Sequence, residues 1–237
     1  HPAAYQWTLM PQGLIYRSYL AGVKESRFRG VWNDETNDGD IWDITLGGRV
    51  GILRYGYLSH GRPVGWQLDI EGAGEVRLDL DENADVTAAD FRFGVPLTWG
   101  DERSQMKFAY YHVSSHLGDE FLLKNPGYPR LNYVRDVLVL GYSLTPTPWW
   151  RYYCEIGYGV HVDVAEPWEL QFGVDYAPPG PTGFRGAPFF AVNGYLREEV
   201  DYGGNFAAQA GWAWRRSTTS GMFRTGVEYY NGKDDQF

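Results

Sequence analysis

Hydrophobic and polar residues alternate along most of the chain, in runs of about ten residues separated by turns and loops. Successive side chains of a β-strand point to opposite faces of the sheet, so this alternation predicts strands rather than helices. In residues 105–116, Phe108, Tyr110 and His112 share one face while Lys107 lies on the other. About eleven such runs follow one another, which predicts an all-β protein.

Each predicted strand carries one aliphatic and aromatic face and one charged face. A soluble sandwich would bury the apolar faces, whereas a membrane barrel exposes them to lipid and turns the charged faces inward. Aromatic girdles of membrane barrels lie at the two interfaces, and tryptophans lie near many of the predicted strand ends: Trp42, Trp99, Trp149, Trp150, Trp168 and Trp214. We therefore predict one antiparallel outer-membrane β-barrel of about 12 strands over residues 1–237, with an N-terminal extension at about residues 1–13, in the bacterial outer membrane.

The loop lengths predict an orientation for this barrel. The first predicted strand covers residues 14–22, and long loops are expected at residues 23–40, 73–86 and 117–133. Outer loops of such barrels are longer than inner turns, so the odd-numbered strands are expected to run outward. Because barrels of this kind close with an even number of strands, the count of eleven predicts that a final returning strand is missing from this chain.

Composition narrows the class of partner. The formal net charge is −9 and the pI is near 5.0, without clusters of basic residues, which argues against nucleic-acid binding. The single cysteine, Cys154, cannot form an internal disulfide, and its position places it on the lipid-facing side of its strand. The sequence contains no run of about 18 apolar residues, so it predicts no transmembrane helix.

One stretch of the apolar faces carries groups that could perform chemistry. His112 and Ser114 share a face, and an imidazole next to a serine hydroxyl can act as its general base when a third group orients the ring. A symmetric hairpin would place Ser114 opposite Asp136, whose carboxylate on a lipid-facing row needs a partner. We predict Ser114 as nucleophile, His112 as general base and Asp136 as the orienting acid, with His116 as an alternative partner of Asp136.

Other assignments of these residues stay open. Asn132, Asp119 and Glu120 are further candidates for the orienting role. The histidines, Ser114 and Asp136 could equally form a hydrogen-bonded cluster at the level of the lipid headgroups, without catalysis. A third alternative is a zinc site of His112, His116 and Asp119.

The motif His112-Val113-Ser114-Ser115 resembles the His-x-Ser-Asn signature of outer-membrane phospholipase A and of a lipid A deacylase family, with Ser115 in place of the Asn. That resemblance implies a site on the outer wall that hydrolyses acyl esters of phospholipid or lipid A. Over most of its length the chain resembles an uncharacterised family of Gram-negative envelope proteins. Segments at residues 17–22, 24–28, 78–83 and 110–120 carry this second resemblance, which implies the fold and location but no activity.

An acidic loop suggests a second, separate site. Asp79, Asp81 and Asp85, together with Glu82 and Asn83, offer oxygen ligands suited to Ca²⁺, which could assist ester hydrolysis. The expected partners are membrane lipids or lipopolysaccharide, with a second copy of the chain or an envelope complex as further candidates. The rival function is a non-enzymatic barrel that acts as a narrow channel or as a structural component of such a complex.

Overall fold

A computed structural model describes residues 4–35, 39–128 and 133–234. The described residues contain one short helix, α1 (Asp119–Lys124), a 3-10 turn at Glu198–Val200 and twelve strands. The strands are β1 (Gln6–Leu9), β2 (Arg29–Glu35), β3 (Gly39–Ser59), β4 (Arg62–Asp79), β5 (Asp85–Gly100), β6 (Ser104–Leu117), β7 (Tyr133–Thr147), β8 (Trp150–Asp163), β9 (Trp168–Tyr176), β10 (Ala187–Arg197), β11 (Gly204–Arg215) and β12 (Met222–Gly232).

All twelve strands belong to one antiparallel sheet, which confirms the predicted fold class and strand number. Strands β3 to β12 pair in sequence order, and β1 and β2 both pair with β3. The strand β1 lies against residues 53–56 of β3, and β2 lies against residues 39–45. The two short strands therefore occupy one edge of β3 as an interrupted strand. They take the place of the first predicted strand and, with β3 to β12, bring the described strands to twelve.

The sheet is strongly curved, and side chains connect its two edges. Arg29 Nη2 of β2 lies 2.6 Å from Glu228 Oε1 of β12, and Thr218 Oγ1 donates to the Gly61 carbonyl at 2.6 Å. The strands meet at two ends. The α1 end holds α1 and residues 80–84, and the hairpin end holds the turns at 60–61 and 101–103.

Burial along the strands follows the predicted alternation. Many inward-facing charged groups are paired and nearly inaccessible, as in Arg49 Nη2 to Asp69 Oδ2 at 2.6 Å, with exposed fractions of 3% and 0%. Outward-facing apolar side chains are exposed, including Leu46 at 60% and Phe91 at 54%. Cys154 is also exposed on the outer face, as predicted. The protein therefore has a polar interior and an apolar exterior, opposite to the distribution in a soluble sandwich.

The N-terminal prediction was wrong, because residues 14–22 form no strand. Strand β1 ends where Met10 adopts a left-handed conformation (φ 46°) and Pro11 offers no N–H to continue the ladder. Residues 10–28, called here the luminal segment, then lie against the inner face of the sheet and rejoin its edge at β2. The loops are also shorter than predicted, since β2 lies within residues 23–40 and β4 continues to Asp79.

Inward-facing side chains of several strands hold the luminal segment. The Tyr19 hydroxyl donates to Glu155 Oε2 at 2.5 Å, and the Tyr19 ring stacks on Tyr153 with centroids 3.8 Å apart. Lys24 Nζ lies 2.9 Å from Glu75 Oε2 and also pairs with Asp90. Further bonds to the segment come from Arg54, Gln67, Arg151, Asp175 and Arg224. The segment thus fills much of the interior through polar contacts.

Candidate functional site

The pairing of β6 with β7 places Asp136 directly opposite His112, and Ser114 opposite Val134. The predicted register, with Ser114 opposite Asp136, was therefore wrong by two residues. Because directly opposed residues of antiparallel strands share a face, His112 and Asp136 both lie on the outer face of the sheet. The shift brings the proposed base and orienting acid together and separates the acid from the proposed nucleophile.

His112 and Asp136 form the centre of a polar cluster. His112 Nδ1 lies 2.8 Å from Asp136 Oδ1, and the Tyr110 hydroxyl donates to the same carboxylate oxygen at 2.5 Å. The side chains remain accessible, at 40% for His112 and 22% for Asp136. An imidazole held through Nδ1 by a carboxylate presents Nε2 as its second nitrogen, which is the arrangement of a general base and its orienting group.

A third residue of the cluster, His161, was missed in the sequence. Simple alternation along β8 places His161 with Glu155 on the inner face, but the ladder shifts between Asp136 and Val137 because Val160 is an extra residue in β8. This β-bulge turns His161 outward and opposite Asp136, within range of electrostatic interaction with its carboxylate. Only the pairing partners of β8 reveal the bulge, so the sequence pattern contains no signal for it.

The remaining predicted residues lie apart from this pair. Ser114 shares the outer face of β6, but its hydroxyl makes no hydrogen bond within the described part of the chain. The His116 ring lies 6.1 Å from the Phe91 ring, measured between centroids. Asp119 and Glu120 are exposed in the first turn of α1, and Asn132 lies outside the described residues. The structure therefore joins His112 with Asp136, while the role of Ser114 stays a prediction.

The cluster lies at the border of the apolar exterior. In the next row toward the hairpin end, Tyr110, Leu138 and Tyr158 are paired across the same strands and point outward. In the next row toward the α1 end, Ser114 and Asp163 flank Val134. Polar groups thus replace apolar ones on β6 to β8 at the row of His112, while the same rows of β5 carry the exposed Phe93 and Phe91.

The side chains of the acidic loop serve mainly the loop itself. Asp79 Oδ1 accepts the backbone N–H groups of Asp81 at 3.0 Å and Glu82 at 3.2 Å, so this carboxylate caps the turn. Lys124 of α1 lies 2.6 Å from both Glu82 and Asp85, and these bonds raise the pKa of its ammonium group above the ordinary value. Among the residues with a described position, no three His, Cys, Asp or Glu side chains form a group that could hold a metal ion. The calcium site stays a prediction.

The fold and site define an antiparallel β-sheet protein with a polar, occupied interior and an acid–imidazole pair on its apolar exterior. No helix among the described residues is long and apolar enough to cross a membrane. The chain belongs to the DUF1207 family, whose description is 'protein of unknown function'. The family model matches residues 4–237. This match confirms the predicted membership of an uncharacterised family and does not extend to phospholipase barrels. No curated protein and no solved structure matches the chain.

Proposed function

We propose that the chain is a bacterial outer-membrane β-barrel that hydrolyses acyl esters of membrane lipids at a site on its outer wall. The observation that carries this proposal is the bond between His112 Nδ1 and Asp136 Oδ1 on the outward face. A carboxylate on an apolar, lipid-facing row is costly, and such groups are usually functional. The substrate class follows from the surroundings, because only lipid would contact this face.

Two features support a membrane location. Apolar side chains cover the exterior and charged pairs fill the interior, which is the distribution that a lipid environment favours. Aromatic pairs lie at both ends of the strands, with Trp66 stacked on Trp99 at the hairpin end and Tyr158 against Trp168 at the α1 end. Such rings suit the two interfaces of a bilayer.

The reaction assigns one role to each group. His112 Nε2 takes the proton of the Ser114 hydroxyl as Oγ attacks the ester carbonyl, and the same proton passes to the departing alcohol oxygen. Water, deprotonated by His112 Nε2, then attacks the acyl-serine carbonyl. The proton passes to Ser114 Oγ as the fatty acid leaves. Asp136 holds the ring and stabilises its charged form. The bond between nucleophile and base often tightens only when substrate is bound, so its absence here is compatible with this role.

Covalent labelling tests the proposal directly. The purified protein, reconstituted in lipid, is treated with an organic fluorophosphonate and digested, and the labelled peptide is identified by mass spectrometry. We expect the untreated protein to release fatty acid from phospholipid or lipid A. After treatment, we expect Ser114 to be modified and the release to stop. A chain that releases no fatty acid and carries no label at Ser114 would contradict the proposal.

A non-enzymatic barrel is the second candidate, and one observation favours it. Tyr110 and His112 share Asp136 Oδ1, so the carboxylate has local partners that account for it without a nucleophile. In that case the cluster would anchor the barrel at the headgroup level. The labelling experiment distinguishes the two, because an anchoring cluster leaves Ser114 unreactive.

The position of the luminal segment leads to a prediction about the ion conductance of the protein. Because residues 10–28 fill much of the interior, we expect the intact protein to show no steady ion current in a planar bilayer. A linker of about seven residues can replace the segment, because it is long enough to follow β3 from residue 52 to residue 46 at about 3.4 Å per residue. We expect the protein with this linker to show stepwise currents. A steady current through the unaltered protein would instead favour a channel.

A further inference from the structure

A cavity at the hairpin end, far from the site described above, has more cations than anions among its charged lining residues. The cavity has a volume of about 30 Å³, lies between the luminal segment and the strand ends, and is partly open to solvent. Its charged lining consists of Arg17, Arg62, Arg151, Arg215, Asp101 and Glu102.

Both carboxylates of this cavity are already occupied. Asp101 Oδ1 accepts the backbone N–H groups of Arg103 at 2.7 Å and Ser104 at 2.8 Å, which lowers the pKa of Asp101. Glu102 bonds the Ser59 hydroxyl and lies 3.0 Å from His60 Nδ1. These acids therefore stabilise their own turns rather than neutralising the arginines.

Two of the four arginines have evident partners. Arg151 pairs with Asp175, with Nε 3.0 Å from Oδ2, and donates to two carbonyls of the luminal segment. Arg62 donates to the carbonyls of Glu102 and Pro148 at 3.0 Å each. Their positions are fixed by these bonds.

The other two arginines make no ion pair with any described residue. Arg215 is 9% exposed. Among the described residues its buried Nε has no hydrogen-bond partner, and its Nη2 makes one long hydrogen bond, to Met222 Sδ at 3.7 Å. The side chain of Arg17 makes no hydrogen bond in the described part of the chain. The charges around it are those of Arg151, Arg215 and Arg62, together with Asp175, which is already paired with Arg151. Gathering like charges in a cavity raises their energy, and a bound anion would offset that cost.

We infer that this cavity binds a phosphoryl group, with the guanidinium groups of Arg17 and Arg215 as its principal ligands. A guanidinium presents a planar fork of donors that matches phosphate oxygens. A phosphoryl group carries nearly two negative charges at neutral pH and three acceptor oxygens, so one group can satisfy both unpaired arginines. The phosphoryl group could belong to a free phosphate compound or to a lipid headgroup at this end of the sheet.

Binding measurements on the intact protein separate these sources. The protein in a detergent without phosphate is titrated with inorganic phosphate and, separately, with dihexanoyl phosphatidic acid by calorimetry. Saturable binding of inorganic phosphate, weakened by added salt, indicates a free phosphate compound. Binding of the phosphatidic acid alone indicates a lipid headgroup. Saturable binding of neither probe overturns the inference.

A charge-matched set of variants assigns the binding to the two arginines. The double variant Arg17→Gln/Arg215→Gln is expected to weaken binding at least about tenfold, because each lost contact is a hydrogen bond between charged groups. The control is Arg103→Gln/Arg185→Gln, which removes the same two charges from exposed positions outside the cavity and is expected to bind as the wild type does. Unchanged binding by the double variant would contradict the assignment.

Chemical protection gives a measurement that needs no variant. Phenylglyoxal modifies accessible arginines, and the sites are mapped by mass spectrometry with and without the bound probe. We expect the probe to slow modification of Arg17 and Arg215 severalfold and to leave Arg103 unaffected. Equal modification rates with and without probe would count against the site even if a variant failed to fold.

Discussion

Ser114→Ala is expected to lower the rate of lipid acyl-ester hydrolysis at least about 1,000-fold, because removal of a nucleophile eliminates the covalent route. The barrel should fold normally, since the Ser114 hydroxyl makes no hydrogen bond within the described residues. The measurement is fatty-acid release from reconstituted lipid, with folding checked by circular dichroism. The change tests the one member of the proposed triad that the structure does not bring into contact with the others.

Ser104→Ala is the matched control for this variant. Ser104 lies on the same strand and face as Ser114, near the hairpin end, where its hydroxyl lies 3.1 Å from the Tyr142 hydroxyl. Its loss should leave hydrolysis within about twofold of the wild type. Equal activities of Ser114→Ala and the wild type would exclude Ser114 as the nucleophile and return the cluster to an anchoring role.

Arg151→Leu is expected to destabilise the protein by about 3–5 kcal/mol, the range for breaking a buried ion pair by removing one partner. Arg151 and Asp175 are 4% and 5% exposed, and the substitution leaves the Asp175 carboxylate buried without its cation. It also removes the donors at 2.7 Å to the carbonyls of Arg17 and Ser18, which attach the luminal segment to β8. Unfolding by guanidinium chloride in detergent micelles measures the effect.

A double-mutant comparison separates the ion pair from the attachment. Arg151→Leu/Asp175→Leu removes both charges, so it should recover much of the lost stability. A residual loss of about 1–3 kcal/mol is expected, because the two carbonyls still lack donors. Arg103→Leu, at an exposed position, should change stability by no more than about 0.5 kcal/mol. A loss below about 1 kcal/mol for Arg151→Leu would show that the interior tolerates a detached segment.

The alternation of polar and apolar residues predicts most of the fold, as individual charged residues show. Lys107, Asp69, Glu155 and Glu169 lie on the charged faces of their predicted strands, and the structure buries all of them inside. The prediction fails at residues 14–22, where Arg17 and Ser18 interrupt the pattern between apolar residues. That stretch packs its tyrosines against the interior instead of joining the sheet, because partners on β8 and β9 are available there.

The candidate site was only partly predictable. His112, Ser114 and Asp136 were identified from residue type and parity, but their pairing depends on the register of β6 and β7. A shift of two residues keeps every side chain on its face, so the alternation pattern cannot distinguish the two registers. The number of residues between these strands does not determine the register either.

The sequence by itself determined the class of fold and the two-sided character of the sheet, because each residue's polarity reports which face it occupies. Only the tertiary structure decided which groups meet. The register paired His112 with Asp136, the bulge at Val160 brought His161 outward, and the path of residues 10–28 placed Arg17 beside Arg215. These juxtapositions depend on contacts between residues distant in the chain, and such contacts leave no periodic signal in the sequence.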